Sequence, residues 1–189
     1  LDDHEPMAEG HGLVVVEDCA HAHGMKWRNR GAGSIGHAAG FSFQQSKTMT
    51  CGEGGIILTN SAEVNELCHA YVNCGRFDPR FSARPGGQPP QRVLGYNFRI
   101  TEFQAAILLE QLKRIGGQIK RREANSAYLN RKLERAGLLP LKRDERLTRE
   151  NGYFYSFKYR KEAFGGALRG VFVKAMNAEG IPIGGGIFD

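Results

Sequence analysis

Lys47 is set in FSFQQSKTMTCGEGG, residues 41–55. An apolar run from Phe41 to Phe43 breaks into polar residues, Lys47 sits in the break, and Gly52, Gly54 and Gly55 form a turn before IILT resumes. A lysine amine that is partly desolvated loses its proton more readily and becomes a nucleophile toward carbonyls. A second candidate lies upstream, where LVVV, residues 13–16, runs directly into Glu17 and Asp18. Ligands of open α/β sheets sit at the carboxyl ends of strands, which makes a strand-end carboxylate a site candidate. An amine that joins an aldehyde and an acid that keeps a pyridine nitrogen protonated are the two groups that pyridoxal phosphate requires. Ser42, five residues before Lys47, offers a hydroxyl for the phosphate, and the glycine turn admits close backbone approach.

Each of these residues alone has a plainer reading. Lys47 is then a solvated turn lysine, Asp18 a cap or turn residue, and Ser42 a strand residue bonded to backbone. Asn97 and Arg99 simply order the turn before Thr101. His21 and His23 with Glu17 and Asp18 suggest a metal, but a full ligand set is not visible, so no metal is expected.

The elements that must position these groups follow from the pattern. The run 13–16 reads as a strand buried on both faces, preceded by a helix end or turn at His11 and Gly12. Residues 24–40 hold five glycines and read as a loop. Residues 41–43 and 56–59 read as short strands. Asn60 with Glu63 suggests a capping box for a helix to about Val72, and Thr101 with Gln104 suggests a second. The helix after Thr101 is apolar around most of its surface and is expected to be largely buried. Gly116 and Gly117 are expected to interrupt it before a second stretch from Ile119 to Ala136, capped by Gly137. Residues 76–90, RFDPRFSARPGGQPP, read as a long exposed loop of the kind that contacts a partner. Residues 153–159 read as an aromatic strand, and the stretch after Ala167 as a helix closed by Gly180.

The composition suits a soluble globular protein of 189 residues, 41% hydrophobic and 24% charged. No apolar run reaches membrane-spanning length, and no membrane partner is expected. The net charge of +6 gathers in residues 112–137, which read as a nucleic-acid surface or as the solvated face of a helix. The absence of aromatic–basic interleaving favours the helix face, so no nucleic acid is expected. The four cysteines at 19, 51, 68 and 74 form no C-x-x-C pair, and reduced thiols in a cytoplasmic protein are expected. Leu1 at the start and GIPIGGGIFD at the end read as cut ends, so a piece of a longer protein is expected.

Three ordered motifs carry a resemblance: VVVEDCAHAHG, GSIGHAAGFSFQQSKTMTCGEGG and GYNFRITEFQAA. Together they resemble the sugar aminotransferases of the DegT/DnrJ/EryC1/StrS family, over most of residues 10–115. The resemblance implies an α/β chain: the central part of a fold-type I pyridoxal-phosphate transferase large domain plus the start of a small α+β domain. It implies the latter part of the large domain at 1–117, a linking helix at 118–137 and the beginning of the small domain at 138–189. It implies Lys47 as the Schiff-base lysine and Asp18 as the partner of the pyridine nitrogen. His21, where many relatives carry glutamine, would lie beside the phenolic oxygen. Ser42 would bind the phosphate, and Asn97 the phosphate of the neighbouring subunit in a homodimer with shared sites. The implied reaction moves an amino group from glutamate or glutamine to a keto sugar, often nucleotide-linked, or to a keto-cyclitol, as in amino sugar biosynthesis. The alternatives are a sugar dehydratase on the same cofactor, whose members carry histidine in place of the lysine, or a non-catalytic relative of the fold. The resemblance also implies a preceding part of the large domain with a phosphate-binding turn and a ring-stacking aromatic, neither of which is found among these residues.

Overall fold

A computed structural model of the chain describes residues 4–82 and 93–184. Residues 83–92, most of the expected long loop, lie outside the described residues. The chain forms two compact units. One comprises Leu1–Arg121 with Glu145–Tyr153, and the other Arg122–Asp144 with Phe154–Asp189. The elements in order are α1 (His4–Gly10), β1 (Val16–Asp18), β2 (Lys26–Trp27), β3 (Arg30–Gly31), β4 (Ala38–Ser42), β5 (Gly55–Thr59) and α2 (Ala62–Val72). After a 3-10 turn at Pro79–Phe81 come α3 (Glu102–Arg135), β6 (Leu139–Pro140), β7 (Leu147–Arg149), β8 (Phe157–Lys158) and α4 (Arg169–Ala178).

In the first unit the sheet that matters runs β1-β4-β5. β1 and β4 are parallel, with Val16 opposite Ala38 and Asp18 opposite Gly40. β5 closes antiparallel on β4, from Ala38 opposite Thr59 to Ser42 opposite Gly55. The strand beginning in 13–16 is shorter and later than its apolar run suggests. β1 is an edge strand in this sheet, and Leu13, Val14 and Val16 are exposed rather than buried on both faces. The glycine-rich stretch 24–40 is not all loop. β2 and β3 form a hairpin there, and β7 pairs antiparallel with β2 to make a second sheet, β3-β2-β7. Gly33 has φ +86, and a Cβ there would lie 2.6 Å from the Phe41 ring, so a side chain would strain the backbone and strike the sheet.

The cap of α2 falls one residue later than expected. Ser61 is the N-cap, its Oγ accepting from Val64 N at 3.2 Å, because from that position the hydroxyl reaches the third turn amide. At α3 the expected box forms reciprocally: Thr101 N donates to Gln104 Oε1 at 2.9 Å and Gln104 N to Thr101 Oγ1 at 3.3 Å. α3 then continues for 34 residues straight through Gly116 and Gly117. Each glycine costs about 1 kcal/mol against alanine, which the good helix formers on either side outweigh. Its first half is less buried than its apolar content suggests. Leu108 is buried, whereas Phe103, Leu109 and Leu112 stay exposed among the described residues.

The core of this unit is Phe43, Met49 and Leu108, with Cys51 and Ile115 against it. Burial of such side chains contributes about 1.5–3 kcal/mol each, and here it ties α3 to the turn after β4. In the second unit β6 pairs antiparallel with β8, so the expected aromatic strand is confined to two residues. Tyr159, Phe164 and Phe172 cluster with ring centroids 4.7–5.2 Å apart. No helix among the described residues is long and apolar enough to cross a membrane.

Candidate active site

The strand ends gather the site. Strand alternation sends Glu17 and Asp18 to opposite faces of β1. Glu17 turns inward and organises the loop before β4. Its Oε2 accepts from Gly33 N at 2.9 Å, and its Oε1 from Ile35 N at 2.8 Å and Gly36 N at 2.7 Å. Asp18 is exposed, and its Oδ1 accepts from Ala20 N at 3.0 Å in a local turn. The carboxylate at the strand end that faces outward is therefore Asp18. Cys19, buried behind it, has its thiol pushed up to about 11, first by burial and then by the charge of Glu17.

On β4, Ser42 lies two residues beyond the partner of Asp18. Its Oγ accepts from Gln44 N at 3.3 Å, leaving the hydroxyl proton for another acceptor. The chain then turns tightly. Lys47 N donates to Gln44 O at 3.0 Å, and Ser46 N and Oγ both donate to Gln44 Oε1, at 2.8 and 2.6 Å. Helix α3 clamps the far side of this turn, with Gln111 Nε2 donating to Thr50 O and Gln104 Nε2 to Glu53 O, both at 2.8 Å. Lys47 is half-buried, its Nζ 5.4 Å from the centre of the Tyr153 ring. Thr48 Oγ1, beside it, is buried without a hydrogen-bond partner among the described residues.

His21 packs on the same tyrosine, with its ring centroid 4.4 Å from that of Tyr153. His23 is buried between Phe41 and Phe43, at 5.4 and 5.9 Å. Among the described residues neither of its nitrogens meets a partner within hydrogen-bond geometry. Burial is the main cause that lowers its pKa from the usual 6.5. The Ser42 backbone opposes the shift without bonding, and Lys47 adds to it.

Four of the expected site residues thus share one end of the β1–β4 pair: Asp18, His21, Ser42 and Lys47. Asn97 stands apart, opposite Asn73 in an isolated antiparallel bridge after α2. Sequence reasoning passed over Asn151 and Tyr153. Asn151 is buried, and its Nδ2 donates to His21 O at 2.7 Å and His23 O at 3.2 Å, while Tyr153 N donates to its Oδ1 at 3.0 Å. The only local hint was Asn151-Gly152, a turn signal before an aromatic. A cavity of about 350 Å³ runs along β1 and touches Asp18, Ala22, Trp27 and Leu147 but not Lys47. Among the described residues no group of three or more His, Cys, Asp or Glu is arranged to hold a metal.

An amine, an outward carboxylate and a hydroxyl with its proton available, all at one end of two parallel strands, fit pyridoxal phosphate as a donor set. The fold is that of the fold-type I aminotransferases. Residues superpose with a TM-score of 0.78 on DesI, solved in the presence of its TDP-sugar product, at 30% identity over 96% of this chain and 44% of that one. A DegT DnrJ EryC1 StrS aminotransferase from Brucella abortus gives the same score at 27% identity, over 94% of this chain and 43% of that one. The model of the DegT/DnrJ/EryC1/StrS aminotransferase family matches residues 1–184, and the chain belongs to that family. The L-glutamine:2-deoxy-scyllo-inosose aminotransferase of Streptoalloteichus tenebrarius is 37% identical over 97% of this chain and 44% of its own length. A Micromonospora echinospora protein, provisionally named an L-glutamine:3-amino-2,3-dideoxy-scyllo-inosose aminotransferase, is 40% identical over 94% of this chain and 42% of its own length. The chain therefore spans well under half the length of these relatives.

Proposed function

We propose that this chain is part of a cytoplasmic, pyridoxal-phosphate-dependent aminotransferase that moves an amino group from glutamine or glutamate to a keto-cyclitol or keto sugar. The observation that carries the reading is the parallel register of Asp18 with Gly40, which brings the acid, Ser42 and the Lys47 turn to one end of neighbouring strands. The relatives named for scyllo-inosose substrates and for L-glutamine support the cyclitol acceptor and the glutamine donor. When bound, pyridoxal phosphate supplies an aldehyde that exchanges amines and a ring that takes up electron density. Lys47 provides the amine for that aldehyde. When free, its Nζ would serve as the base that moves a proton at the substrate carbon. Asp18 holds a proton on the ring nitrogen. Ser42 donates its hydroxyl to the phosphate, and His21 borders the phenolic oxygen. Asn97 reaches the phosphate of the neighbouring subunit in a homodimer.

The test is amino transfer by the whole protein from glutamine and from glutamate to scyllo-inosose, 2-deoxy-scyllo-inosose and a nucleotide-linked keto sugar, with borohydride reduction and peptide mapping in parallel. Lys47→Ala removes the reducible link, whereas Asp18→Asn keeps the link and slows turnover. A reducible link at another lysine refutes the assignment.

A further inference from the structure

Tyr153 is drawn into the site from a segment that sequence reading places far from it. Contacts at its ring and at its hydroxyl fix its side chain. Its ring faces Lys47 Nζ at 5.4 Å, its ring lies 4.4 Å from that of His21, and its hydroxyl is 3.2 Å from Ser46 Oγ. The last contact has a direction. Ser46 has one hydroxyl proton, and it goes to Gln44 Oε1 at 2.6 Å, so Ser46 Oγ accepts from the Tyr153 phenol. The backbone of Tyr153 is fixed as well, through the buried Asn151 that also holds the carbonyls of His21 and His23. The ring is therefore pinned from both ends, with its face toward the lysine.

We infer that Tyr153 is the positioning residue of Lys47: its ring steadies the ammonium that Nζ becomes whenever the lysine is detached from the cofactor and holds a proton. A ring face attracts a cation through its quadrupole, and the Ser46 bond aims that face. The inference rests on the proposed role of Lys47 and adds the group that keeps the detached lysine within reach.

The experiment uses the cofactor-free whole protein. Formaldehyde and cyanoborohydride methylate its lysines, and mass spectrometry compares the rate at Lys47 with that at the exposed Lys120 in the same sample. The variants are Tyr153→Phe, which keeps the ring, and Tyr153→Leu and Tyr153→Gln, two independent ways of losing it, each checked by its melting temperature. Loss of the ring is expected to speed labelling of Lys47 relative to Lys120 roughly two- to fivefold, the factor that a partly exposed cation–π contact over Nζ corresponds to. The phenylalanine variant stays within about twofold of the parent. In the cofactor-loaded protein, kcat falls in the ring-less variants while the KM for the amino donor holds, and phenylalanine restores kcat. Ring-less variants that melt normally and label Lys47 at the parental ratio overturn the inference while leaving Lys47 its role. A parent protein that forms no borohydride-reducible link to pyridoxal phosphate at Lys47 overturns the reading of the site and the inference together.

Discussion

The neighbouring acids of β1 make opposite demands, and replacing each one separates structure from chemistry. Glu17 gathers the amides of Gly33, Ile35 and Gly36. Hydrogen bonds to a charged group contribute about 1.5–3 kcal/mol when buried. This carboxylate is only half-buried, so part of each loss is recovered by water, and about 1 kcal/mol per bond is a fair share. Glu17→Ala is then expected to cost about 3 kcal/mol, a large fraction of the 5–15 kcal/mol typical of a folded domain. Glu17→Gln keeps one oxygen for two of the amides and sets an NH2 against the third, for about 1.5–2 kcal/mol. Asp18→Asn retains the Oδ1 acceptor for Ala20 and is exposed, so its cost is expected within about 0.5 kcal/mol. Its effect belongs in turnover. Urea unfolding of the whole protein, followed by circular dichroism at fixed pH, ranks the three. A Glu17→Ala loss under about 1 kcal/mol, or an Asp18→Asn loss equal to that of Glu17→Gln, refutes the division of labour between these acids.

The buried His23 predicts a pH dependence. Its folded pKa is lowered from 6.5, chiefly by burial, so below 6.5 the unfolded chain binds the proton first and stability drops as the pH falls through that window. His23→Phe, which cannot titrate, is expected to flatten the dependence between pH 7 and 5, and an unchanged slope in urea unfolding refutes it. Asn97 is expected to act in trans. Whole subunits carrying Lys47→Ala mixed with subunits carrying Asn97→Ala regain part of the activity, and no recovery after verified subunit exchange refutes a shared site.

The motifs around Asp18, Ser42 and Lys47 were legible because they are local. A strand end, a polar break and a glycine turn are each written within a dozen residues, and the Thr101–Gln104 box is a signal of the same range. What was not legible is long-range. Nothing in LVVV says which strands flank it, so the expectation of burial on both faces outran an edge strand. The β2–β3 hairpin is only two residues per strand, too short for a period to register, and it depends on pairing with β7 from more than a hundred residues away. Gly116 and Gly117 looked like a break because local propensity was read without the stabilising contacts of the flanking turns. Asn151 and Tyr153 carry no motif beyond the Asn151-Gly152 turn signal, and their proximity to the lysine turn comes from tertiary packing alone.

The return of residues 145–153 to the first unit has a consequence in time. The Ser46–Tyr153 contact joins positions 107 residues apart. At a synthesis rate of about 5–20 residues per second, the lysine turn leaves the ribosome roughly 5–20 s ahead of the tyrosine that faces it. In that interval β2 lacks its β7 partner and His23 lacks the Asn151 tether. The nascent chain therefore carries an unfinished site through the whole translation of α3. Synonymous changes that slow decoding between Lys47 and Tyr153 lengthen the wait, and with it the exposure of this half-built sheet to proteases and chaperones, without altering a single residue of the finished protein.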